Sequence, residues 1–285
     1  MSDLIHRFFS FNERSLTSLA NNTLWFATID SFNDPFEGKV RLDFSIKDIT
    51  KCRDVLIEVA NRFGNESLGI PVNDGENISD ALIRYLFDQG EVINVSKLEG
   101  LVSKSLTPLI DTAKNFVEKM RSEYGYCCFI QDYEERNTLT DTLMWGHYGD
   151  GLRGFVLSFE QSSIFEDIGN VEGDFYIGYA NDPHEINIFD LSHCYLLEEE
   201  QQAVDRFLPI FLTKTEPWVY EQEIRFLKYH SGLQEFNPES LKYLTVGEKM
   251  SKYNLNLLKQ LLSNYPNVKV QTAKTKDDSY KIVIN

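Results

Sequence analysis

Two glutamates one residue apart and an arginine after them form the segment whose spacing points most directly to chemistry: Tyr220-Glu221-Gln222-Glu223-Ile224-Arg225. On a strand, residues i, i+2 and i+4 share a face, so Glu221, Glu223 and Arg225 line up there while Ile224 and Phe226 turn to the core. Arg225 would orient or neutralise one carboxylate. The other is then left to hold a ligand hydroxyl or to stabilise a developing cation. Trp218 and Tyr220, just upstream, offer an aromatic wall. A solvated, self-neutralised strand face would carry the same row with no chemistry.

Three further groups could join it. Trp145, His147 and Tyr148 cluster ring donors ahead of Gly149 and Gly151, as in a site loop or as an aromatic plug beneath one. His6 and Arg7 stand on the opening strand. Asn33-Asp34-Pro35-Phe36 has the chemistry of a tight turn, with Asp34 or Glu37 able to face a cleft. The chain has no Gly-rich phosphate loop, nucleophile elbow, H-E-x-x-H or paired C-x-x-C. Five scattered histidines make a zinc site unexpected, and no metal is expected. A magnesium-dependent nuclease built on Glu221, Glu223 and Asp34 is an alternative, although no lysine stands with these acids in the usual nuclease manner.

The elements that must position these residues are an irregular mixture of strands and helices, which predicts an α+β fold with a mixed, mostly antiparallel sheet. Strands are expected at Leu4–Phe9, Thr23–Thr28, Tyr126–Ile130, Gly154–Phe159, Phe175–Tyr179, Glu223–Tyr229, Tyr243–Val246, Val268–Thr272 and Tyr280–Ile284. Asn12 should cap a helix burying Leu16, Leu19 and Ala20. Residues 46–122 read as a helical insertion packed on the sheet of one domain spanning 1–285. Its helices carry Cys52, Leu56 and Val59, then Leu82 and Leu86 behind a Ser79 cap. A longer one runs from about Val95 to Met120, with a kink at Pro108. Leu196–Thr213 and the Leu255–Leu262 stretch are expected to be helical.

With 42% hydrophobic and 13% aromatic residues in 285, the chain has ample material for a packed core. Its four cysteines lack a metal-binding spacing, and no stretch approaches the roughly 20 apolar residues of a membrane span. The expectation is a cytoplasmic protein with no membrane partner. A formal charge of −16 repels phosphate backbones and argues against non-specific nucleic-acid binding.

Taken together, the blocks Leu4–Phe9, Ser10–Leu16, Thr23–Phe26, Phe32–Glu37, Met144–Tyr148 with Gly151–Phe155, Trp218–Arg225 and Gly247–Lys249 resemble a large bacterial and phage family, domain of unknown function 2971. The chain departs from that family's pattern at Ile130, where a serine is usual, and at Ile224, where a second aromatic is usual. More loosely, the order of blocks is similar to that of ADP-ribosyltransferases. That resemblance implies an ADP-ribosyltransferase-like arrangement, with NAD as a small-molecule nucleotide substrate and a protein, nucleic acid or water as acceptor. A bacterial or phage defence role is one setting for such an enzyme. It further implies Glu223 as the catalytic glutamate, Glu221 as the acceptor's partner, His6 or Arg7 on the dinucleotide, and His147 or Tyr148 walling the nicotinamide. A non-catalytic ligand-sensing or interaction module is the other reading.

Overall fold

The computed structural model describes residues 4–87, 94–133, 136–198, 204 and 207–285. In chain order the strands begin β1 (Leu4–Phe9), β2 (Thr23–Phe26), β3 (Val40–Asp43), β4 (Tyr124–Gln131), β5 (Phe155–Glu160), β6 (Gly173–Tyr176) and β7 (Gly178–Ala180). They continue as β8 (His184–Asn187), β9 (Thr213–Thr215), β10 (Glu223–Tyr229), β11 (Gly232–Glu235), β12 (Leu241–Gly247), β13 (Lys269–Thr275) and β14 (Ile282–Ile284). The fold is α+β with a large, mostly antiparallel sheet.

Two compact units form from this chain: Met1–Glu37, Glu123–Asn181 and Leu212–Asn285 in one, Gly38–Ser122 and Asp182–Phe211 in the other. The second unit is mostly helical, as expected for 46–122, with helices Ile49–Phe63, Ile78–Leu86 and most of Val95–Glu123. It also holds the parallel pair β3–β8 and a helix Ile188–Leu197. Three expectations need correction here. The cap of the 78–86 helix is Asn77, whose side chain accepts from the Asp80 amide, and Ser79 lies inside the helix. The 196–213 stretch is helical in most of its described residues but is not one helix: the Ile188–Leu197 helix ends at its start, Val204 and Phe207 are helical, Leu208–Leu212 is 3-10 and Thr213 already opens β9, while residues 199–203 and 205–206 lie outside the described residues. The Phe175–Tyr179 strand is interrupted at Ile177, giving β6 and β7.

In the first unit the sheet order is β14-β13-β12-β5-β1-β4-β10-β6, with only β12 and β13 parallel among its pairs. Alternation along the strands gives the sheet two unlike faces. Ile5, Cys127, Phe129, Phe155, Leu157, Phe159, Ile224 and Phe226 join one apolar core with Leu19, Ile164 and Leu258 of flanking helices. The opposite face carries His6, Phe8, Cys128, Val156, Ser158, Glu223 and Arg225. There Phe8 and Val156 pack with Met144, Trp145 and Leu152 in a smaller cluster. Asn12 caps the Glu13–Ala20 helix in a reciprocal capping box with Ser15.

The sheet divides between β1 and β4. β1 stays in register with β5 from Leu4↔Glu160 to Phe9↔Phe155, and β4 with β10 from Tyr124↔Tyr229 to Ile130↔Glu223. Between β1 and β4, however, pairing stops at Ile5↔Gln131 and His6↔Ile130. Near the far end of β1, a loop is threaded tightly through glycines. A Cβ on Gly154 would lie 2.1 Å from the Phe9 carbonyl oxygen, and one on Gly247 2.2 Å from that of Leu152. Among the described residues no helix is long and apolar enough to cross a membrane.

Because those contacts are to backbone, they cannot be relieved by a rotamer change. Gly154→Ala should therefore lower stability by about 1–3 kcal/mol in urea titration, the usual cost of overpacking. Gly146→Ala, with nothing within 4 Å of its added carbon, should leave the midpoint close to wild type.

Candidate active site

The segment singled out by its spacing does not run as one strand. Glu216–Glu221 forms a 3-10 stretch opened by Pro217, and Gln222 takes a left-handed conformation at φ 46° before β10 begins at Glu223. Glu221 thus leaves the strand row expected for it, yet its side chain is joined through a shared cation to Glu223, which Arg225 in turn holds. The link is Lys214, the middle residue of β9, which pairs with Tyr179 of β7. Neither Lys214 nor Glu37 was legible as a partner from spacing. The expectation that no lysine stands with the acids is overturned, because Lys214 is remote from the usual spacing but adjacent in space.

Arg225 and Lys214 bind three carboxyl groups between them. Arg225 donates from Nε to Glu223 Oε1 at 2.6 Å, and from Nη2 to Glu223 Oε2 at 3.3 Å and Glu37 Oε1 at 2.8 Å. Lys214 Nζ donates to Glu221 Oε2 at 2.6 Å and to Glu223 Oε2 at 3.3 Å, and lies 3.7 Å from Glu37 Oε1. Tyr148 donates its hydroxyl to Glu221 Oε1 at 2.6 Å, and the Glu223 amide donates to Tyr179 Oη at 2.9 Å. Two rings cover the cations: Phe32 lies 4.9 Å from the Arg225 guanidinium and Trp218 4.6 Å from Lys214 Nζ. All five charged side chains are buried, Arg225 completely.

Burial is the largest influence on each of these groups, and their partners decide the outcome. For Glu223, burial would raise the pKa, but Arg225 and Lys214 outweigh it and hold the carboxyl at about 2. Burial wins at Glu37, against Arg225, and at Glu221, against Lys214, so both carboxyls rise above their ordinary value. Burial would lower Lys214, but Glu223 and Glu221 keep it raised and charged. The Cys128 thiol, beside Glu223, is pushed up by burial and by that carboxylate, so it stays protonated. His6 is lowered to about 4 by burial, opposed by Asp132, and is neutral at pH 7.

A cavity of about 330 Å³ opens over this cluster, lined by His6, Arg7, Phe32, Tyr126, Cys128, Tyr148, Lys214, Glu221, Glu223 and Arg225 among others. It reaches the line where β1 and β4 part, so residues of both strands form its wall. His6 and Arg7 behave differently. His6 Nδ1 is 2.8 Å from Ser158 Oγ, on the face of the cluster. The Arg7 guanidinium turns to the other face, donating to Cys127 Sγ and the Trp25 carbonyl oxygen and packing 5.5 Å from the Phe9 ring. Trp145 is a buried plug, with Nε1 donating to the Leu139 carbonyl oxygen at 2.8 Å. His147 and Tyr220 hydrogen-bond to each other at 2.7 Å on the exposed side of the same segments, next to Trp218. Asp34 is spent on its turn: it accepts from the Phe36 amide and from Thr215 Oγ1. Among the described residues, no three of His, Cys, Asp or Glu are grouped to hold a metal ion.

Residues 144–226 match the model of a family described as protein of unknown function (DUF2971). That stretch contains Tyr148, Lys214, Glu221, Glu223 and Arg225, five of the residues around the cavity. No curated protein and no solved structure matches the chain.

The cluster's energetics give two measurable consequences. Lys214→Met leaves Glu221 buried without its cation, and loss of one partner in such a network should cost about 3–5 kcal/mol in denaturant titration. The penalty should shrink in acid, where the raised carboxyls take up protons. Glu223 behaves in the opposite sense. Its carboxyl, lowered from 4.5 to about 2, contributes stability that is complete above about pH 4.5 and lost as pH falls through about 2. Glu223→Gln should thus be least stable relative to wild type at neutral pH, and the gap should close by about 3 kcal/mol toward pH 2.

Proposed function

We propose that the cavity takes NAD as substrate and that the chain breaks the bond between nicotinamide and ribose, passing the ribosyl group to an acceptor or to water. The observation that carries this reading is Glu223, held ionised against Arg225 at the base of a cavity also lined by His6, Tyr126 and Tyr148. A carboxylate so placed stabilises the positive charge that develops at the anomeric carbon as the bond lengthens. The bonding pair leaves with nicotinamide and neutralises its ring nitrogen. The acceptor hydroxyl then adds to the anomeric carbon and gives its proton to Glu221, whose carboxyl burial raises above its ordinary value, which makes it a better proton acceptor than an exposed glutamate.

Other residues fall into supporting roles. Tyr148 and Phe32 would flank the nicotinamide, and His6 would meet a ribose hydroxyl. Lys214 and Arg225 fix the two glutamates and keep them from folding back on each other. Gln222's left-handed turn takes Glu221 out of the strand, while both carboxylates meet on Lys214.

A non-catalytic binding module is supported by a different observation: every carboxylate of the cluster is already engaged by a cation or a hydroxyl. Both readings meet the same assay. The wild-type chain incubated with labelled NAD should release nicotinamide, and Glu223→Gln, confirmed folded by circular dichroism, should release it at least about 100-fold more slowly. Absence of release together with calorimetric binding of NAD would favour the binding module. Neither release nor binding would exclude both uses of NAD.

A further inference from the structure

The charge balance of the cavity bears on what part of a substrate it recognises. Glu221 and Glu223 line its base with the cations Lys214 and Arg225, and a third carboxyl group, Glu37, joins the cluster through both cations. Fully ionised, the cluster carries one negative charge in excess, in surroundings where water screens it poorly. Phe32, Tyr126 and Tyr148 put aromatic rings around that base, and ring faces also attract cations. His6, 2% exposed, lines the same wall with Nε2 lacking a hydrogen-bond partner, 3.7 Å from Asp132 Oδ1. A neutral imidazole placed so is suited to a ligand hydroxyl.

Phosphate recognition has little to work with. Arg7 is the third cation of the lining, and its guanidinium is committed to Cys127 Sγ and the Trp25 carbonyl oxygen on the other side of the sheet. The cavity of about 330 Å³ is at the small end for ligand pockets, room for a ring and a sugar rather than for a whole dinucleotide.

We propose that the site is a receptor for a planar organic cation bearing a ribose, the N-ribosylpyridinium portion of its substrate, and that phosphates contribute little to binding. The inference rests on the cavity being the NAD site and assigns the recognition within it. The positive ring lies among Phe32, Tyr126 and Tyr148 above the excess carboxylate charge, and the ribose is directed toward His6.

Isothermal titration of the full chain with three probes tests this: nicotinamide riboside, its reduced and uncharged dihydro form, and NAD. The cationic riboside should bind at least about tenfold tighter than the dihydro form of nearly equal size, a difference of about 1.4 kcal/mol. NAD should bind within a few-fold of the riboside. Glu221→Gln, which removes the excess charge, should reduce the preference for the cation even where it leaves the fold intact. Equal binding of charged and uncharged ribosides overturns the proposal. So does NAD binding more than about 100-fold tighter than the riboside, which would mean that phosphates dominate, and so does the absence of any binding. Nicotinamide release from NAD without cation preference would leave the transferase reading standing and this one refuted. Cation preference without release would do the reverse.

Discussion

Two cations shared among three buried carboxyl groups are the constraint around which the first unit is organised. Ion pairs taken out of water recover their desolvation cost only where geometry and extra hydrogen bonds are good, and apolar residues of equal volume are often as stable. Here the geometry is good, and its members come from distant parts of the chain. Glu37 comes from the turn after β2, Lys214 from β9, Glu221 from the 3-10 stretch, and Glu223 with Arg225 from β10. Tyr148, at the end of the Thr142–His147 helix, ties a further segment to Glu221. Removing either cation would leave three carboxyl groups in the interior with one cation among them, so these segments depend on one another.

The sheet makes such a cluster possible. β10 lies inside the sheet, between β4 and β6, so alternate side chains are buried on both faces. Ile224 and Phe226 enter the apolar core, and Glu223 and Arg225 are forced into the opposite interior, where each must find a partner. The parting of β1 from β4 then leaves space above the cluster rather than another layer of side chains. A buried charge network that opens on a cavity is where electrostatic work on a ligand is cheapest, since the dipoles and charges are already fixed. That is the physical link from strand order to the proposed chemistry.

Much of the scaffold was legible in the sequence, because local rules were strong there. β10 has the expected bounds Glu223–Tyr229, β1 those of Leu4–Phe9, and Asn12 caps its helix. The candidate site was legible only in part. Glu223 and Arg225 share a face by strand periodicity, as expected, but Glu221 joins them otherwise, since the left-handed turn at Gln222 takes it off the strand. Lys214 gave no signal as one lysine in a three-residue strand whose partner, β7, is also three residues long. Glu37 was visible as a turn residue able to face a cleft, not as a partner of Arg225. His6 and Arg7 are neighbours in sequence, and strand alternation sends their side chains to opposite faces. Trp145 sits in the same short block as Tyr148, yet helix geometry turns one into the core and the other toward Glu221. Contacts made at long sequence separation decided each of these, and no local pattern encodes them.

A crystal structure of the protein soaked with NAD tests the central claim most directly. Density for the nicotinamide and its ribose is expected in the cavity between β1 and β4, with a ribose hydroxyl on Glu223 and the ring beside Tyr148. NAD bound elsewhere on the molecule, or a cavity left without ligand at saturating NAD, would contradict it.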